Sequence, residues 1–117
     1  MMLEESVEKL LAGAKKSPYT LSVYLDTDAG TGLWRDKLYN LRMALDRLAA
    51  SMEGKAARRA FAEDQERVLA FVRKHKAKGA GLVVFSSAGQ KLWWTTSLPV
   101  RVANAVRYGS LGSLLTL

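Results

Sequence analysis

The chain has 117 residues, no cysteine, and 18 Lys and Arg against 11 Asp and Glu, for a formal charge of +7. That length makes one domain, residues 1–117, with enough chain to bury its own core, and the absence of thiols excludes a disulfide framework, a thiolate metal site and a thiol nucleophile. No apolar run approaches the roughly 20 residues of a membrane helix, and the first five residues are acidic rather than basic, unlike a signal peptide. The expectation is a cytoplasmic protein without a membrane segment. Its excess of cations points to a polyanion partner.

Leu3, Val7, Leu10, Leu11 and Ala14 recur at helical spacing and predict a helix over 4–14. Glu4 and Glu5 at its start and Lys15-Lys16 at its end both suit the helix dipole, and Ser17-Pro18 stops it. Tyr19, Leu21, Val23 and Leu25 then alternate with Thr20, Ser22 and Tyr24, which predicts a strand over 19–25 with one buried face. Residues 26–32 read as a loop in which Asp28 or Thr31 caps the next helix.

A long helix is predicted over 33–52, with Trp34, Leu38, Leu41, Leu45, Leu48 and Met52 on one stripe. Arg35, Lys37, Arg42, Asp46 and Arg47 are placed largely off that stripe. Gly54 breaks the pattern, which resumes over 55–76 with Ala57, Phe61, Val68, Phe71, Val72 and His75 inward. Two long helices joined by so few residues form an antiparallel hairpin. A turn at 78–81 precedes a short apolar strand over 82–86, read as central and covered on both faces. Residues 91–96 pair with it as a hairpin, across a loop in which Gly89 is the natural position for a positive φ. Pro99 interrupts, 100–108 is predicted as a last strand, and 114–117 is an apolar tail. The expected fold is therefore α+β: a mostly antiparallel sheet of about four strands, packed by an N-terminal helix and a long antiparallel helix pair.

The charge is unevenly spread. Residues 55–78 hold eight cations and three acids, eight minus three leaving about five of the seven net charges in one arm of the hairpin. Lys55, Arg58 and Arg59 cluster at its start, where cations oppose the helix dipole and a ligand would have to favour them. Arg73, Lys74, Lys76 and Lys78 lie at the far end, where the dipole alone suffices. Lys55, Arg58 and Arg59 are thus the first candidates for contacts to nucleic-acid phosphates, with Arg35, Lys37, Arg42 and Arg47 as secondary ones.

Other residues read more plainly. His75 is a helix-end histidine, since a lone His without Cys makes no metal site. Asp26 and Asp28 are loop and capping carboxylates, lacking a third ligand at metal spacing. Trp93 and Trp94 point to opposite faces of a strand, with packing roles favoured over base stacking. Ala88-Gly89-Gln90 is a hairpin connection rather than a catalytic Gly-Gly-Gln loop. No metal or cofactor is expected. The absence of a nucleophile–base pair favours a binding module over an enzyme, a peptidyl-tRNA hydrolase or nuclease being the catalytic alternative.

Leu-Ser-Val-Tyr-Leu at 21–25, the helix pair, Gly-Leu-Val-Val-Phe at 81–85, and the run from Leu98-Pro99 to Leu114-Leu115 occur in that order. In this the chain resembles the N-terminal domain of archaeal and eukaryotic class-I peptide chain release factors, and more closely their bacterial release-factor-like relatives. The resemblance implies a scaffold linked to translation, with the ribosome or structured RNA as partner. It does not extend to stop-codon reading, which the departures from the family leave unsupported. The family's Asn-Ile-Lys-Ser motif is replaced here by Ser51-Met52-Glu53-Gly54-Lys55, and its Cys-containing decoding motif has no counterpart. The alternative function is a protein-interaction or homo-oligomerisation domain using the apolar tail Leu111, Leu114, Leu115 and Leu117.

Overall fold

A computed structural model describes residues 20–75 and 79–109. The predicted N-terminal helix and the apolar tail lie outside the described residues. Strand β1 (Thr20–Asp26) is followed by helices α1 (Trp34–Ala50) and α2 (Lys55–Lys74), then by β2 (Gly81–Ser87), β3 (Leu92–Leu98) and β4 (Ala105–Gly109). The four strands form one sheet in the order β3-β2-β1-β4, antiparallel throughout. The α+β expectation holds: both helices lie on one face of a four-stranded antiparallel sheet.

The helix pair follows from the sequence. Leu41 and Leu45 of α1 and Phe61, Val68 and Val72 of α2 are buried with Leu21, Val23, Leu25, Leu82 and Val84 of the sheet. Each helix offers one apolar stripe at 3.6-residue spacing, and each inner strand offers every second residue. Gly54, at φ 87°, turns the chain between the helices, a conformation that costs a residue with a side chain roughly 1–2 kcal/mol. Phe61, fully buried, meets Tyr108 of β4 edge-on at 5.0 Å and locks α2 over the sheet.

Both inner strands are covered on both faces. The sequence predicts this for β2, all seven residues of which are buried. For β1 it predicts one buried face, yet Thr20 and Ser22 on the alternate face are also fully buried. β1 is an inner strand, flanked by β2 and β4, so its backbone is paired on both sides as well. On that second face Val83 and Phe85 pack with Tyr24, Leu92, Trp94 and Leu98.

The last strand is shorter than predicted, because β3 and β4 lie on opposite edges of the sheet. Residues 99–104 must cross the ends of two inner strands, a path of about 14 Å at normal strand spacing. Two contacts fasten this crossing. Asn104 Oδ1 accepts from the Asp26 backbone N–H at 2.7 Å. Gly81 lies so close beneath it that a Cβ there would sit 2.6 Å from the Val100 carbonyl oxygen. The β2–β3 hairpin also corrects an expectation. Its positive φ falls on Lys91, at 54°, not on Gly89, because a 3-10 turn over Ala88–Gln90 is closed by one left-handed residue.

Candidate nucleic-acid interface

The helix hairpin places the predicted cations in three groups. Arg42 and Asp46 of α1 line one groove with Gln65, Glu66, Leu69 and Arg73 of α2, and Gln65 Nε2 donates to Asp46 Oδ1 at 2.8 Å. Joined by residues 51–54 alone, the two packed helices run antiparallel. The end of α1 therefore meets the start of α2. Arg47, in the last turn of α1, lies at the same end of the hairpin as Lys55, Arg58 and Arg59. All four are exposed. Arg35 is twelve residues earlier, about 18 Å along the axis at 1.5 Å per residue, and Arg42 lies between. Arg35 also faces Asp36 at 3.7 Å on the open surface.

Lys37 is a correction. It is 8 % exposed, and its ammonium donates to the Asp28 carbonyl and to Thr31 Oγ1. It lies on the buried stripe, four residues before Leu41 and eight before Leu45, and fastens the loop after β1 to α1 instead of reaching a phosphate. The spacing held that signal; its charge obscured it.

At the tip, the start of α2 is electrostatically unusual. Gly54 occupies the cap position, no side chain caps the helix, and no acidic residue stands in its first turn. The backbone N–H groups of a helix start form a partial positive charge, and here three cationic side chains are added to it. Among the described residues none of the three forms an ion pair. Arg58 Nε donates to the Met52 carbonyl at 3.0 Å, which orders the turn. Beside these cations is an open groove of about 450 Å³, lined by Glu53, Gly54, Lys55, Ala57, Ala60 and Tyr108, so one carboxylate, just ahead of the helix, shares it with Lys55.

The loop after β1 is organised by Asp26 and Asp28, in keeping with the capping reading but with different targets. Asp28 caps the 3-10 turn Ala29–Thr31 by accepting from the Gly30 N–H, while α1 has Leu33 at its cap position and no side-chain cap. Asp26 Oδ1 accepts from the Asp28 N–H at 2.9 Å, and Asp26 Oδ2 meets Arg101 at 3.1 Å. The backbone N–H foremost, then Arg101, hold the Asp26 carboxyl below its usual range. Among the described residues no group of three His, Asp or Glu is placed to hold a metal ion.

Asp64 is the functional-looking residue that charge counting misses. By charge alone it reads as one of the solvated acids of α2, yet it is 2 % exposed. Its Oδ1 accepts from Ser86 Oγ and from the Ala88 N–H, both at 2.8 Å, with Arg67 at 3.8 Å. Burial pushes its pKa up, against these hydrogen bonds and the Arg67 charge. The carboxylate ties α2 to the β2–β3 hairpin, and its place between Phe61 and Val68 on the apolar stripe is the available signal. Arg67 in turn lies 5.1 Å over the Trp93 ring, which also meets Phe71 edge-on. Trp93 and Trp94 do occupy opposite faces, Trp94 stacking on Phe85 at 5.4 Å. His75 ends α2, with its ring between Phe71 and Trp34.

No protein-family profile matches the chain, and no curated protein does. Solved structures do. An archaeal translation termination factor, aRF1, superposes with a TM-score of 0.60 at 19 % identity, over 91 % of this chain and 30 % of that one. A second structure, described only as an archaeal protein, gives a TM-score of 0.57 at 19 % identity, over 92 % of this chain and 31 % of its own. This chain thus spans about a third of those proteins, and at such identity the likeness is one of fold: the chain shares the fold of part of an archaeal translation termination factor.

Proposed function

We propose that this domain is a non-catalytic, translation-associated module that binds the ribosome or structured RNA through the tip of its helix hairpin. The observation that carries the reading is the start of α2, where Lys55, Arg58 and Arg59 crowd an uncapped helix end that has no acidic residue in its first turn. Each cation there costs the isolated helix about 0.3–1 kcal/mol, and a phosphate would reverse the sign. Arg47 adjoins this cluster and Arg42 extends it along α1, while Arg35 stands apart and Lys37 plays no part. The fold shared with a translation termination factor supports the same reading.

Contacts to phosphates position a protein without reading sequence, so binding is salt-sensitive and tolerant of sequence. The test is the affinity for a structured ribosomal RNA fragment, measured by fluorescence anisotropy across a salt series. Reversing Lys55, Arg58 and Arg59 to Glu weakens binding and lowers the slope of log K against log salt by about 2–3, near one unit for each phosphate no longer neutralised. An unchanged slope in that variant overturns the assignment of the tip.

A further inference from the structure

The sheet has two edges, and they are built differently. The edge strand β4 is five residues long and carries Arg107 at its centre. The edge strand β3 is seven residues long, Leu-Trp-Trp-Thr-Thr-Ser-Leu, without a charge, a proline or a glycine. Edge strands in monomeric proteins are normally shortened, charged or interrupted, because their free N–H and C=O groups template pairing with another strand. Among the described residues, β3 pairs with β2 alone.

The direction of its backbone groups follows from one bond. The Leu98 carbonyl accepts from Ala80 and so faces β2. Strand alternation then turns the N–H and C=O of Trp93, Thr95 and Ser97 outward.

We propose that β3 is a pairing edge for a second copy of this chain, joined antiparallel about a two-fold axis at Thr95. The strand is self-complementary in that register. Thr95 meets its own counterpart, and each Trp94 meets a Thr96. Leu92 meets Leu98 at both ends, and no like charges are opposed. The three outward residues of each copy supply six hydrogen bonds, and the two sheets join into one of eight strands. Lys91 and Pro99 flank the segment, and the proline, having no N–H, ends the ladder where β3 ends. Such an isologous pairing closes on itself and stops at two copies. It uses a different surface from the helix tip. Its salt dependence also has the opposite sign to that of RNA binding: two chains each carrying +7 associate more readily as salt rises.

The test is sedimentation velocity of the full chain from micromolar to near-millimolar concentration, at low and high salt. The mass is expected to climb from the 12.9 kDa of one chain towards twice that value, and to do so at lower concentration in high salt. Thr95→Pro removes an outward N–H and leaves the bonds to β2 in place, so it holds the chain at one copy. Ser97→Lys, at an exposed position, sets a cation against Trp93 and Arg67 of the second copy and does the same should the proline variant fail to fold. A wild-type mass of one chain throughout overturns the proposal. So does association that survives both substitutions, which would place the contact elsewhere.

Discussion

Replacing Asp64 separates the two forces that act on the one buried carboxylate tying α2 to the sheet. Asp64→Ala leaves the fully buried Ser86 hydroxyl and the Ala88 N–H without their acceptor. Hydrogen bonds to a charged group contribute about 1.5–3 kcal/mol each, and relief of the carboxylate's desolvation offsets part of that loss. The net destabilisation is about 2–3 kcal/mol, near 10 °C in Tm for a domain of this size. Asp64→Asn keeps an acceptor oxygen and discards the charge, so it stays within about 1 kcal/mol of wild type at neutral pH. The informative quantity is how the difference between wild type and Asp64→Asn changes with pH. The pKa of Asp64 is raised in the fold, so between its ordinary value and the raised one the native state holds more protons than the unfolded chain. Stability from this group therefore declines as pH rises through that window and is level above it. Urea titrations of both proteins, stepped from neutral to acid, should show wild type gaining on the variant as pH falls. The reverse trend would mean that the hydrogen bonds and Arg67 outweigh burial, and would refute the reasoning.

Asp26 titrates the other way. Its folded pKa is lowered, so its contribution is complete above the ordinary carboxylate value and is lost as pH falls through the folded one. The stability gap between wild type and Asp26→Asn should close on acidification; a gap that widens contradicts the assignment. Gly79→Ala should destabilise more than Gly32→Ala. Both have positive φ, worth about 1–2 kcal/mol, but only at Gly79 would the Cβ meet a backbone atom, 2.6 Å from the Leu98 carbonyl. Equal losses in thermal melts would remove the steric argument. Lys37→Ala should lower stability by about 1–3 kcal/mol through the hydrogen bonds to the loop that it breaks, yet leave RNA affinity unchanged; a loss of affinity in a variant that remains folded would return Lys37 to the interface.

Much of the architecture is legible in the sequence because period and punctuation agree. The stripe from Leu41 to Val72 and the break at Gly54 define the helix pair. The alternation in β1 and the apolar run in β2 define the centre of the sheet. What cannot be read there is set by topology. Nothing local to 100–104 says that this stretch must cross from one edge to the other, and nothing local to Thr20 and Ser22 says that β1 is flanked on both sides. The candidate site is legible as a cluster, because Lys55, Arg58 and Arg59 stand at a helix start where the dipole disfavours them. Lys37 is misplaced, and Asp64 is passed over as one of three acids, for one shared reason. A charged residue on an apolar stripe reads as exposed until its partners, Asp28 and Thr31 in one case and Ser86 and Ala88 in the other, come together from distant parts of the chain.

The central claim, that the hairpin tip binds the ribosome or structured RNA, is tested most directly by co-sedimentation of the chain with bacterial ribosomes across a salt series. The Lys55, Arg58 and Arg59 charge reversal is run alongside. The account predicts pelleting that falls with salt and is abolished by the reversal. A chain that stays in the supernatant at low salt, or a reversed variant that pellets as well as wild type, would contradict it.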